Sequence, residues 1–193
     1  MSRRRLPAIA ALTVLAAGAG VFGNGVFIAA KAEAAQILLE QSWQRARSGE
    51  AEPRPWPWAD TWAVARIEAP RLRQSAIVLA EAGGEALAFG PAHLATTPQP
   101  GDPGISVFAA HRDTHFAFLA DLEAGDEVIV ERADGELIRF VLTGFEVVRA
   151  DTSGIEPGST RRSRLALVTC WPFGALTPGP LRYVAWGERM DSA

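Results

Sequence analysis

Cysteine is nearly absent: Cys170 is the only one among 193 residues. No disulfide framework can therefore hold the chain, and core burial must do that work instead, which a chain of this length can supply. Histidine is scarce too, with only His93, His111 and His115. His115 lies four residues past His111, a spacing that suits a metal only on a helix, and no second ligand pair accompanies it. No acidic loop has calcium-ligand spacing, and no glycine-rich loop could cradle a phosphate. No metal, cofactor or nucleotide is implied. Nor is there a basic run. Setting aside the three arginines of residues 1–30, residues 31–193 hold 22 acidic against 16 basic residues, a charge of −6. Nucleic-acid affinity comes from neutralising phosphates, so that partner class is excluded. Internal repeats and low-complexity tracts are missing as well. Hydrophobic content of 48%, with 18 Gly and 13 Pro, fits a loop-rich globular domain.

Charge is also missing from Leu6 to Ala30, a run preceded by Arg3, Arg4 and Arg5. As a helix it would be about 37 Å long, enough to cross a hydrocarbon core of about 30 Å. The arginines should stay cytoplasmic and place the rest of the chain across the membrane. A cleaved signal peptide is the alternative, since Ala32-Glu-Ala34 resembles a small-residue cleavage site. The length of the run favours an uncleaved anchor. The expected organisation is a cytoplasmic tail over 1–5, an anchor over 6–30, a helical stalk and Pro/Trp linker over 31–61, and a folded domain over 62–193. The linker Glu52-Pro-Arg-Pro-Trp-Pro-Trp58 cannot be helical; its tryptophans either pack on the domain or sit at the membrane interface.

From Trp62 onward the pattern predicts short strands separated by Gly and Pro. They fall over Trp62–Glu68, Ala76–Leu79, Ile105–Ala110, Asp126–Arg132, Glu136–Val148, a strand ending at Cys170, and Leu181–Trp186. Asp134-Gly135 marks a hairpin. Phe116–Leu122 is more helix-like, and Thr152–Ser163 is a polar loop expected to border any groove near Cys170. The class is all-β, an antiparallel barrel or sandwich with short helices.

Two strands end on reactive side chains. Leu165–Val168 is an apolar run that delivers Thr169 and Cys170 to its end before Pro172 stops it. Ile105-Ser-Val-Phe-Ala-Ala-His111 has the same form. Without export, a lone cysteine is a small hydrophobe; in an exported chain it needs a reason. Pairing with His111 supplies one, the thiolate acting as nucleophile and the imidazole as proton carrier. An ordinary thiol with a pKa of about 8.5 is only a few per cent thiolate at neutral pH, so such a partner matters. Arg182, flanked by apolar residues in a short strand, is either an outward arginine or a fixed cation beside a developing oxyanion. Arg112 and Arg164 are its rivals, though each reads as a surface or loop residue. Thr169 and His93 are the candidate substrate-binding residues; His93 follows Gly90-Pro91 in a loop, where a structural or surface role competes.

Taken together, Phe89-Gly-Pro-Ala-His93, Ala109-Ala-His111-Arg-Asp-Thr-His-Phe116, Leu167-Val-Thr-Cys170 and Leu181-Arg182-Tyr-Val184 resemble the sortase family of cysteine transpeptidases, across most of residues 62–188. The flavour is closest to proteobacterial sortases related to classes C and D. Two positions depart from the family pattern. Ala110 stands where glycine is expected, and Trp171 replaces the commoner tyrosine. The resemblance implies an eight-stranded β-barrel, with Cys170 as nucleophile, His111 as general acid/base and Arg182 as oxyanion and substrate clamp. It implies a protein substrate bearing a C-terminal sorting signal of the Leu-Pro-x-Thr-Gly kind, and an amine acceptor from cell-wall peptide or another protein. The expected location is the inner membrane, with the catalytic domain on the periplasmic side. An exported cysteine peptidase or amidase using water, and a non-catalytic anchored barrel, are the alternative functions. An L,D-transpeptidase is excluded because its Ser-His-Gly element is absent.

Overall fold

The computed structural model describes residues 31–190 except 82, 84, 85, 153, 154 and 176, together with Leu15, Gly18 and Phe22. The expected anchor over 6–30 otherwise lies outside the described residues. Among the described residues, no helix is long and apolar enough to cross a membrane. Two compact units divide the chain, Met1–Ile37 and Leu38–Ala193. In the first, residues 31–37 are helical, with Lys31 to Ala34 exposed.

In the second unit, eight strands close into a barrel in the order β1-β2-β3-β4-β7-β8-β6-β5. They are β1 (Ala63–Ala69), β2 (Gln74–Ala80), β3 (Ala92–His93), β4 (Gly104–Ala109), β5 (Glu127–Arg132), β6 (Leu137–Arg149), β7 (Ser163–Cys170) and β8 (Leu181–Arg189). Closure removes the open sheet edges that would otherwise invite pairing with other chains. Alternation sends Ala65, Ile67 and Ala69 of β1 inward, while a bulge between Ala63 and Ala65 turns Ala63 to the outer face. Val128, Val130, Ile138, Phe140 and Leu142 do the same from β5 and β6. Leu165, Leu167 and Phe108 complete the interior from β7 and β4.

The Asp134-Gly135 signal holds. Gly135 has φ of +90°, Arg132 N–H donates to Glu136 O at 2.9 Å, and β5 pairs antiparallel with β6. The expectation of a wholly antiparallel sheet does not. β2 pairs parallel with β3, and β4 with β7. The intervening chain explains the second case, because β5 and β6 leave to close the far side before β7 returns. The helix-like stretch near Phe116 is a 3-10 helix, Ala117–Asp121, that buries Leu119 in the interior.

From Leu38 onward the segment expected to be a stalk packs on the barrel. In the second unit helix α1 covers residues 38–47, and its Leu39, Trp43 and Ala46 are buried against Ala63, Ile77, Leu79 and Ala92. Arg66 adds an ion pair to Glu40 at 2.6 Å, and Ser42 Oγ donates to Pro53 O. The sequence showed an amphipathic helix but not the apolar outer face of β1–β3 that receives it. In the linker, Trp56 packs edge-on against Phe89 with ring centroids 4.9 Å apart. Trp58 is 82% exposed.

Candidate active site

Parallel pairing of β4 and β7 brings two distant strand ends together. The register runs to Ala109 opposite Val168. Ala110 N–H then donates to Val168 O at 3.2 Å, and Thr169 Oγ1 donates back to Ala110 O at 2.8 Å. His111 leaves β4 immediately beyond this double stitch, and Cys170 ends β7 immediately beyond it. His111 is exposed and Cys170 half-buried.

On the other flank β8 runs antiparallel to β7, with Arg182 directly opposite Cys170. Side chains at directly opposed positions share a face, their Cβ atoms about 4.5–5.5 Å apart. That face is the outer one. Alternation puts Cys170 in line with Val168 and Ala166, whose cluster holds Ile105, Val107, Val184 and Leu94 on the outside of the sheet. Tyr183, one residue after Arg182, packs instead against the interior cluster.

A loop lies over the same outer face. Ile155, from the polar loop preceding β7, packs against the cluster of Ile105, Val107, Ala166 and Val184. Pro157 O accepts from Ile105 N–H at 2.8 Å, and Arg162 O from Gly104 N–H at 3.2 Å. Gly104 is needed there: φ is +117°, and a Cβ would sit 2.6 Å from Pro157 O. The expectation that this loop borders the Cys170 face thus has its physical basis in one apolar residue, Ile155.

The segment after Cys170 is held by two arginines. Arg182 Nη1 donates to Gly179 O at 2.8 Å and to Leu181 O at 2.9 Å. Arg112, expected as a surface or loop residue, lies in a turn but is not on the surface. It is only 7% exposed, and its Nη2 donates to Ala175 O and, at 3.1 Å, to Thr177 O. Sequence reasoning missed it because its partners are backbone carbonyls more than sixty residues away; its place right after His111 was the available signal. Arg164 sits near the start of β7, stacked over the Trp186 ring at 4.7 Å. It is far along the strand from Cys170.

Thr169 is buried, and its hydroxyl is committed to Ala110. His93 is also buried. Its Nε2–H donates to Pro98 O at 3.0 Å, with Thr97 Oγ1 at 3.1 Å, and burial pushes its pKa below the ordinary value against the opposing effect of the Pro98 bond. These contacts stitch the scaffold rather than leave groups facing a groove. His115 is half-buried, and its pKa is likewise depressed by burial, opposed by a bond to the Ala88 carbonyl and assisted by repulsion from His111. Aromatic rings brace the strand ends: Trp171 stacks on Tyr183 at 5.6 Å, and Phe173 meets it edge-on at 5.1 Å. No group of metal-ligating side chains gathers among the described residues.

A strand-end cysteine and histidine on adjacent parallel strands, with an arginine across the ladder, sit on a closed eight-stranded barrel. Residues 67–190 match the sequence model of the Sortase domain. The chain belongs to the sortase family. Sortase D of Bacillus subtilis strain 168 is 27% identical over 124 residues, 64% of this chain and 62% of that protein. The chain therefore spans somewhat less than two thirds of that relative's length. Among solved structures, sortase C-1 from Actinomyces oris superposes with a TM-score of 0.57 at 28% identity, covering 67% of this chain and 76% of that one. Sortase A from Corynebacterium diphtheriae shares the fold at a TM-score of 0.63 and 19% identity, over 82% and 85% of the two chains. Clostridium perfringens sortase C, solved with the C-terminal cell wall sorting motif, shares it at 0.61 and 20%, over 84% and 90%. Sortase folds of more than one class thus overlay this barrel.

Proposed function

We propose that the protein is a membrane-anchored cysteine transpeptidase that cuts a C-terminal sorting signal of the Leu-Pro-x-Thr-Gly kind and joins the new carboxyl end to an amine. The observation that carries this reading is the cross-strand pair of Cys170 and Arg182, with His111 at the neighbouring strand end. The Cys170 thiolate attacks the threonine carbonyl, and the tetrahedral oxyanion forms beside the Arg182 guanidinium. As the Thr–Gly bond breaks, His111 protonates the departing glycine amine, leaving a thioester on Cys170. An incoming amine then attacks the thioester, gives its proton to His111 and expels the Cys170 thiolate, so that the starting pair is restored. A guanidinium is always charged and directional, so it suits an oxyanion better than an ammonium would.

Arg182 is now engaged with Gly179 and Leu181 through Nη1 alone. Its other N–H groups are the ones to meet the oxyanion. Thr169 and His93 serve in this reading by holding the two strands and the β3–β4 corner rather than by touching peptide. Residues 6–30 anchor the chain, and the barrel works on the extracytoplasmic side.

The test is the intact mass of the purified full-length protein after incubation with a Leu-Pro-x-Thr-Gly peptide, with and without a small amine. An acyl adduct that requires Cys170, and that the amine converts to ligated peptide, is expected. An adduct resolved only by water would replace transpeptidation with hydrolysis. A Cys170 that no thiol reagent can reach would rule out catalysis.

A further inference from the structure

Arg112 is buried beside the proposed proton carrier, yet the reaction just described does not use it. Among the described residues its only ion pair is with the exposed Asp113, whose Oδ1 is 3.5 Å from Nε. Nε and Nη1 are buried without a hydrogen-bond partner among the described residues. A buried guanidinium so poorly compensated is expensive, and an apolar residue of similar size would pack there at lower cost. What the arginine provides is two bonds to one loop, at the carbonyls of Ala175 and Thr177. Arg182 binds the next two alternate carbonyls of the same segment, at Gly179 and Leu181. Carbonyls 175, 177, 179 and 181 are thus divided between two guanidinium groups, one rooted beside His111 and one opposite Cys170.

We propose that Arg112 is a positioning residue: it fixes the 171–180 loop against the His111 strand end, and through the Gly179 carbonyl it sets where the Arg182 guanidinium rests. This rests on the functional reading of Arg182 given above. Loss of the Arg112 bonds frees Ala175 and Thr177, lets the loop drift, and carries Arg182 away from the developing oxyanion. A displacement of about 1 Å at a reacting group can cost about a hundredfold in rate. The thiol itself should be untouched, because Arg112 acts on the loop and not on Cys170.

The test compares wild type, Arg112→Met, Arg112→Lys, Arg182→Ala and the double variant Arg112→Met/Arg182→Ala, all full-length. Three quantities are read: the single-turnover acylation rate with a Leu-Pro-x-Thr-Gly peptide, the alkylation rate of Cys170 by iodoacetamide, and amide hydrogen exchange over 171–182. Arg112→Met should slow acylation by about tenfold to a hundredfold. Alkylation should stay unchanged, and exchange at 175–182 should rise. Arg112→Lys should recover part of the rate. The double variant should be no slower than Arg182→Ala alone, since Arg112 works only through that residue. Losses that multiply in the double variant, or unchanged exchange over 175–182 in Arg112→Met, would overturn the proposal. If Arg112→Met does not fold, the same comparison is made with Arg112→Lys, whose single ammonium should give the same signs at smaller size. If the wild type forms no acyl adduct, the functional reading falls, and exchange over 175–182 alone decides whether Arg112 places the loop.

Discussion

The barrel has two kinds of wall. On the β5–β6 side, apolar residues alternate with exposed ones, and the outer surface carries ion pairs such as Glu127–Arg139 at 2.5 Å and Glu136–Arg189 at 3.4 Å. On the β4–β7–β8 side, residues of both faces are buried, and the outer face is an apolar sheet covered by Ile155, Leu94 and Trp186. The first wall only has to be soluble outside and dry inside. The second is packed on both faces, so its strand ends cannot move independently. Cys170 and Arg182 sit at the end of that second wall. Strands covered on both faces are held from each side, and here they give the Cys170–Arg182 pair a rigid mount.

The comparison can be broken by removing groups from each wall in turn. Cys170→Ala has the largest effect: acyl adduct formation should vanish by intact mass while the melting temperature stays close to wild type. Next, His111→Ala and Arg182→Ala should each lower the acylation rate by about a hundredfold to a thousandfold, as removal of a transition-state donor does elsewhere. Neither should shift thermal unfolding by much, and unfolding as the main effect of either would return that residue to the scaffold. On the other wall, Phe140→Ala opens the interior. It should cost about 3–5 kcal/mol of stability in denaturant titration, with the folded fraction keeping its acylation rate.

A pH titration of stability sharpens the picture. Burial depresses the pKa values of His93 and His115 in the folded state, from an ordinary value of 6.5. The unfolded chain then binds more protons, so stability is fully present above about pH 6.5 and falls as the pH drops below it. His93→Gln should flatten that fall in calorimetric scans between pH 7 and 5. The smallest effect belongs to the outer charges: Arg139→Ala removes an exposed pair and should change stability by less than about 1 kcal/mol.

The same contrast explains which parts of the structure were legible in sequence. The β5–β6 hairpin was plain, since alternation and Asp134-Gly135 are local signals. The apolar runs of β4 and β7 were also plain, and so were the reactive residues that end them. Their parallel pairing was not, because nothing in either run states its neighbour. The docking of α1 was hidden for a related reason: Leu39 and Trp43 announce an apolar helix face, but the receiving surface is built from alanines and single aliphatics scattered over Ala63, Ile77 and Ala92. Arg112 was misread because charge is ordinarily a surface property, and only a loop sixty residues downstream supplies the carbonyls that draw it inside.

The bond between Thr169 and Ala110 joins residues 59 positions apart in the chain. Such a contact forms only after a long stretch has been brought to closure, and contacts of high sequence separation tend to set the pace of folding. During synthesis His111 emerges before Cys170 and waits for it. Under the proposed function, the working site is therefore assembled only once β7 has paired with β4.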